Sequence, residues 1–173
     1  ASLVWMYHRL NEARDKSNTL LENPAPPVTF QLVMALLSGL LLGQISLGAL
    51  VASHYAGLAC PDFPLCYGQW IPTLQGSIGL QVLHRLGAYV TVIALLALAA
   101  YTQWQRAMPW MQPDFIRSSR LAALLGLLQV ALGAANILFF LPPLITVLHT
   151  VTAIAMVTIL LSLWYKARYG VAT

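Results

Sequence analysis

From about Thr29 to Ala52 no charged residue interrupts an apolar run, and a bilayer core takes roughly 20 helical residues to cross. Three further runs of similar length follow, at about Leu80 to Tyr101, Leu121 to Phe140 and Leu144 to Tyr165. Only the second contains a charge, Arg85. The pattern predicts four membrane helices. Between them lie segments that cannot extend a helix: Asn23-Pro24-Ala25-Pro26-Pro27 ahead of the first, and the tight Leu141-Pro142-Pro143 turn between the last two. Proline lacks the amide donor and restricts the residue before it. The stretch 53–79 is rich in Pro, Gly, Tyr and Trp and holds Cys60, Asp62 and Cys66, which predicts a substantial loop.

Composition agrees with a membrane protein. Hydrophobic residues make up 59% of the 173 and charged ones only 8%, where a soluble domain carries about a quarter charged. The net charge of +4 does not point to nucleic acid, because every Lys or Arg except Arg85 lies before the first run, between the second and third, or after the fourth. The positive-inside rule makes those three places cytoplasmic and puts the cysteine loop and the Leu141-Pro142-Pro143 turn outside. The expected fold is an all-α membrane protein, an antiparallel four-helix bundle. Residues 1–27 read as the cytoplasmic end of a further helix, Ala1 to Tyr7, followed by a basic segment and linker; 28–173 form the bundle. No signal peptide is recognisable at the start, and the opening residues suggest a fragment or one half of a longer protein.

An internal echo refines the bundle. Gln44-Ile45-Ser46-Leu47-Gly48-Ala49 in the first run matches Gln129-Val130-Ala131-Leu132-Gly133-Ala134 in the third, and each run is followed by one bearing Leu-His near its outer end. The repeating unit is then a helix pair, with chance likeness between apolar segments as the competing explanation.

His84 and His149 are the candidate chemistry. Each sits about five residues inside a helix entered from the same side, so at 1.5 Å per residue both lie roughly 7 Å deep. Ionisable groups are costly inside a membrane segment and usually functional there. Two imidazoles at matching depth suit six-coordinate haem iron; the competing reading is that each merely bonds a neighbouring helix. Arg85 has three candidate partners, a haem propionate, Asp62, or lipid headgroups reached by snorkelling. Gly48, Gly87 and Gly133 would let either a flat macrocycle or a helix approach closely, and Gln44 and Gln129 would bond across helices. For Cys60 and Cys66 three readings stand: a disulfide in an oxidising compartment, a reactive dithiol, or a metal site completed by His54. His8 is assigned nothing.

At these residues the chain resembles the haem A synthase family. The resemblance rests on Gly57-Leu58-Ala59-Cys60-Pro61-Asp62-Phe63-Pro64-Leu65-Cys66-Tyr67-Gly68, on His84-Arg85-Leu86-Gly87-Ala88-Tyr89, and on Leu141-Pro142-Pro143-Leu144-Ile145-Thr146-Val147-Leu148-His149-Thr150. It implies oxidation of a ring methyl of haem O to the formyl of haem A, by a protein of two four-helix halves each carrying a histidine pair. One half takes the haem O substrate and the other holds a permanent haem b. The substrate half is associated with an acid three residues before its first histidine; here that position is Gln81. The resemblance therefore implies the carboxy-terminal, haem b half, with His84 and His149 as axial ligands, Arg85, Gly87, Gly48 and Gly133 about the cofactor, a Cys60–Cys66 disulfide, and no catalytic acid identified in this chain. The implied setting is a bacterial cell membrane, with haem O reaching the other half-unit and with lipid, a second copy, haem O synthase or oxidase assembly proteins as partners. The alternative is a non-catalytic haem b electron-transfer or assembly subunit.

Overall fold

The protein is described here by a computed structural model covering residues 10–12 and 24–169. The expected helix end at Ala1 to Tyr7, the basic residues Arg9, Arg14 and Lys16, and His8 lie outside the described residues. Four long helices account for most of the rest: α1, Val28–Ser53; α2, Gly76–Trp104; α3, Pro113–Leu138; and α4, Pro143–Tyr169. Each is long and apolar enough to cross a membrane. The chain is an all-α membrane protein. Each helix packs against its two sequence neighbours and α4 closes back on α1, giving a ring of four.

The helix ends differ from those expected by sequence alone, for local reasons. α2 begins at Gly76 instead of Leu80; Gly76 has a φ of 56°, and beyond it no residue up to Leu80 breaks a helix. α3 begins at Pro113 instead of Leu121. Proline at the first position presents the φ a helix requires and loses no needed donor, while Asp114 in that first turn complements the helix dipole. Arg117 and Arg120 thus ride on the opening turns of α3, and Arg120 bonds Gln103 of α2. α3 stops at Leu138 because Phe140 and Leu141 both turn left-handed, each at a φ of 59°, and the Leu141 amide closes onto the Asn136 carbonyl at 2.7 Å. Lys166 in the last turn of α4 meets Asp114 at 2.9 Å, tying the two helices at this end.

The packed core occupies one half of the bundle. Phe30, Met34 and Leu41 of α1, Leu95 and Leu98 of α2, Phe115, Ala122 and Ala123 of α3, and Met156, Leu160 and Leu163 of α4 form one buried cluster. Phe30 anchors it, with ring centroids 5.3 Å from Trp110 and 5.4 Å from Phe115. Most of these residues belong to the half on the side of the α2–α3 connection, while Leu41 and Met156, at mid-helix, floor the other half. The other half, under the cysteine loop, is where the glutamines, glycines and histidines of the echoed segments come together, and it is hollow.

Candidate functional site

A cavity of about 370 Å³ opens among the four helices in that half. His84 and His149 both line it, and so do Gln44, Gly48, Gln129, Gly133 and Arg85. Counted from the observed starts, His84 is 84 − 76 = 8 residues into α2 and His149 is 149 − 143 = 6 into α4, or about 12 Å and 9 Å. The matching depth expected from sequence survives the shift in helix ends to within about a turn.

The echoed segments present these histidines in the same way. Gly48 of α1 faces the ring of His84: a Cβ added there would stand 2.9 Å from Cε1. Gly133 of α3 faces the ring of His149, where the corresponding distance is 3.4 Å. Four residues before each glycine stands a glutamine, one helical turn away on the same face. Gln44 donates from Nε2 to the His84 carbonyl at 2.7 Å and lies 3.0 Å from the ring Nδ1. Gln129 Oε1 and His149 Nδ1 are both buried without a partner. Gly48 and Gly133 therefore make room for the histidine rings themselves. Gly87 serves a different side chain: a Cβ there would collide with the amide oxygen of Gln44, and Gly87 is not among the residues lining the cavity.

Arg85 reaches the cysteine loop, Asp62 included, through main-chain carbonyls. Its Nη1 donates to the main-chain carbonyls of Asp62 at 2.9 Å and Leu65 at 2.5 Å, and its Nη2 to that of Cys60 at 2.8 Å. Only 7% of it is exposed, so it does not snorkel. The guanidinium sits 5.9 Å from the Phe63 ring centroid. The Asp62 carboxylate is occupied elsewhere, accepting from the Tyr67 and Gly68 amides at 2.7 and 2.9 Å. The Gly68 amide foremost, helped by that of Tyr67, holds this carboxyl below the usual range, against a smaller opposing effect of burial. Both donors come from left-handed residues, at φ 52° and 73°, a turn that aims successive amides at one anion.

The loop is closed by Cys60 and Cys66, whose sulfurs stand at disulfide distance and whose Cα atoms are 4.8 Å apart. With the sulfurs so joined, the pair does not form a metal site with His54 in this structure. His54 lies instead beside Ser53 and the Leu50 carbonyl, and among the described residues no three His, Cys, Asp or Glu side chains gather as a metal site. The two buried cysteines pack with Val82 on the first turns of α2, so the loop rests on the helix that carries His84.

Sequence reasoning missed several wall residues. Tyr89 is one, placing a buried, unpartnered hydroxyl at the cavity, whereas Gln81, already singled out in the sequence, lines the same cavity and bonds the Gly57 carbonyl through Nε2 at 3.1 Å while its Oε1 is unpartnered. Tyr89 lies one turn beyond Arg85 and was available to the same helical spacing argument. Thr146 and Asn136 join α4 to α3 at 2.9 Å on the opposite wall, a contact no sequence spacing announces.

The whole of residues 1–161 matches the family model described as COX15-CtaA, cytochrome oxidase assembly protein. Among curated proteins the chain is 32% identical to one named heme A synthase from Shewanella oneidensis, over 95% of this chain and 54% of that one. It is 33% identical to the protein of the same name from Methylobacterium nodulans, over 88% of this chain and 43% of the relative. With that from Neorickettsia sennetsu it shares 33% identity over 82% and 44% respectively. The chain spans about half the length of the curated relatives it matches.

Proposed function

The chain belongs to the COX15-CtaA family of cytochrome oxidase assembly proteins, and from that premise we propose that it is the haem b-holding half of a haem A synthase. In this reading His84 and His149 are the axial ligands, the whole protein oxidises a ring methyl of haem O to a formyl group, and the cysteine loop faces outward.

The observation that carries the reading is one hollow with a histidine on each of two helices, each ring seated against a glycine of the preceding helix with a glutamine one turn before that glycine. The donor set fits haem. Two imidazoles line the space, no third metal-binding side chain joins them among the described residues, and five buried polar atoms, Gln81 Oε1, Arg85 Nε, Tyr89 OH, Gln129 Oε1 and His149 Nδ1, lack partners. Native interiors rarely leave so many such groups unmet in one place.

When bound, a haem supplies one-electron chemistry at its iron. The chain's own part is to hold and surround it. His84 and His149 offer ring nitrogens from opposite walls, Gly48 and Gly133 leave room for those rings beside α1 and α3, and the packed half of the bundle closes the hollow from below. Arg85 keeps a positive charge at the mouth, with Nε still free for an anionic substituent. Gln81 stands where the family's substrate half has its acid, and an amide there cannot act as a general base near neutral pH, which supports the reading that the chemistry on haem O belongs to another half-unit.

A second reading, a non-catalytic haem b electron carrier or assembly subunit, draws on the same amide. Supplying haem O to membranes that hold this protein with its complementary half-unit, and analysing extracted haems for the formyl product, separates the two. Formation of haem A that stops when His84 or His149 is replaced supports the synthase; haem b bound without any product supports the carrier.

A further inference from the structure

Gln44 is oriented by backbone. Its Nε2 lies 2.7 Å from the His84 carbonyl, and a carbonyl oxygen only accepts, so the amide group facing it must be the nitrogen. That fixes which end of the amide also meets His84 Nδ1, at 3.0 Å. Facing an N–H, Nδ1 must accept, and a neutral ring accepts there only when its proton is on Nε2. Coordination through Nε2 requires the reverse, a lone pair at Nε2 and the proton on Nδ1. The amide oxygen lies over Gly87, in space that any side chain at that position would fill. Gln129 has no such anchor: its Oε1 is buried and unpartnered, as is His149 Nδ1.

We propose that Gln44, admitted by the bare backbone of Gly87, is the positioning residue of the His84 imidazole, holding it with Nδ1 as acceptor until its amide turns to present Oε1. The inference rests on the haem reading above. The two histidines are then unequal. His149 meets no donor and is free to carry its proton on Nδ1, ready to ligate through Nε2. His84 ligates only once Gln44 has released the backbone carbonyl and accepts from Nδ1, as the outer partners of metal-bound histidines do. Gly87, which its sequence neighbourhood groups with the cofactor glycines, acts through Gln44.

The test uses the purified protein with ¹⁵N-labelled histidine, before and after haem loading. In the haem-free protein His84 is expected in the Nε2–H form with a hydrogen-bonded Nδ1. Gln44→Leu and Gly87→Ala should both move the Nδ1 resonance to that of a ring nitrogen without this bond, whereas Gln44→Glu should put a proton on Nδ1. In the loaded protein, Gln44→Leu should raise the midpoint potential and Gln44→Glu lower it, since a stronger acceptor at Nδ1 makes the ligand more basic. A haem-free His84 carrying its proton on Nδ1, or a potential identical in all forms, overturns the proposal. Absence of haem from the unmutated protein overturns the haem reading instead, and the ¹⁵N resonances then decide on Gln44 alone.

Discussion

Arg85 holds the main-chain carbonyl of Asp62 at 2.9 Å and leaves the Asp62 carboxylate to the Tyr67 and Gly68 amides. Its guanidinium thereby acts as a clamp for the cysteine loop, joining Cys60, Asp62 and Leu65 to the helix turn that carries His84. Each hydrogen bond to a charged group is worth about 1.5–3 kcal/mol. Arg85→Ala is expected to destabilise the protein by about 3 kcal/mol and to open the loop to protease, and Arg85→Lys to rescue only part of this, because one ammonium cannot reproduce the planar fork. Limited proteolysis and thermal unfolding in detergent check both.

The two glycine–histidine contacts differ in tightness, and that difference is measurable. Gly48→Ala would put a Cβ 2.9 Å from His84 Cε1, against 3.4 Å between Gly133→Ala and His149 Cε1. Overpacking of the first kind costs about 1–3 kcal/mol. The second contact is near an ordinary one, and alanine is favoured over glycine in a helix by about 1 kcal/mol. Thermal unfolding should show Gly48→Ala clearly destabilised and Gly133→Ala unchanged or slightly stabilised. Equal effects would mean the rings are not seated as described.

The helix count, order and paired histidines are legible in the sequence because membrane helices announce themselves through unbroken apolar length, and because Gln44-x-x-x-Gly48 and Gln129-x-x-x-Gly133 place the same side chains on the same helix face. The helix ends are less legible. Arg117 and Arg120 look like connection, yet Pro113 and Asp114 start α3 ahead of them. Partners supplied by backbone are not legible at all: the charge of Asp62 advertises a pairing with Arg85, but the carbonyls that receive the guanidinium belong to a loop path no residue pattern specifies. The task of Gly87 is hidden for the same reason, since it depends on where the Gln44 side chain comes to rest.

The Cys60–Cys66 closure predicts a labelling pattern. A membrane-impermeant thiol reagent should leave both residues unmodified in the untreated protein, even after denaturation, and modify both after reduction. Modification of the denatured, unreduced protein would show free thiols.

Asp62 gives the loop a dependence on pH. Its carboxyl is held below the usual carboxylate range, chiefly by the Gly68 amide. A group with a depressed folded pKa stabilises the fold above its unfolded value and loses that contribution as pH falls through the folded one. Protease resistance of the loop should therefore be constant from neutral pH down to about 4 and decline below it, and Asp62→Asn should remove this acid step by lowering resistance above it to the level the unmutated protein reaches in acid.

The central claim is that His84 and His149 bind one haem between them, and the most direct measurement is a pyridine haemochrome assay with reduced-minus-oxidised spectra of the purified protein beside His84→Ala and His149→Ala. The account predicts one b-type haem with a six-coordinate, low-spin spectrum in the unmutated protein, and loss of haem or conversion to a high-spin form in each variant. An unmutated protein without haem, or variants that keep the low-spin spectrum at full haem content, would contradict it.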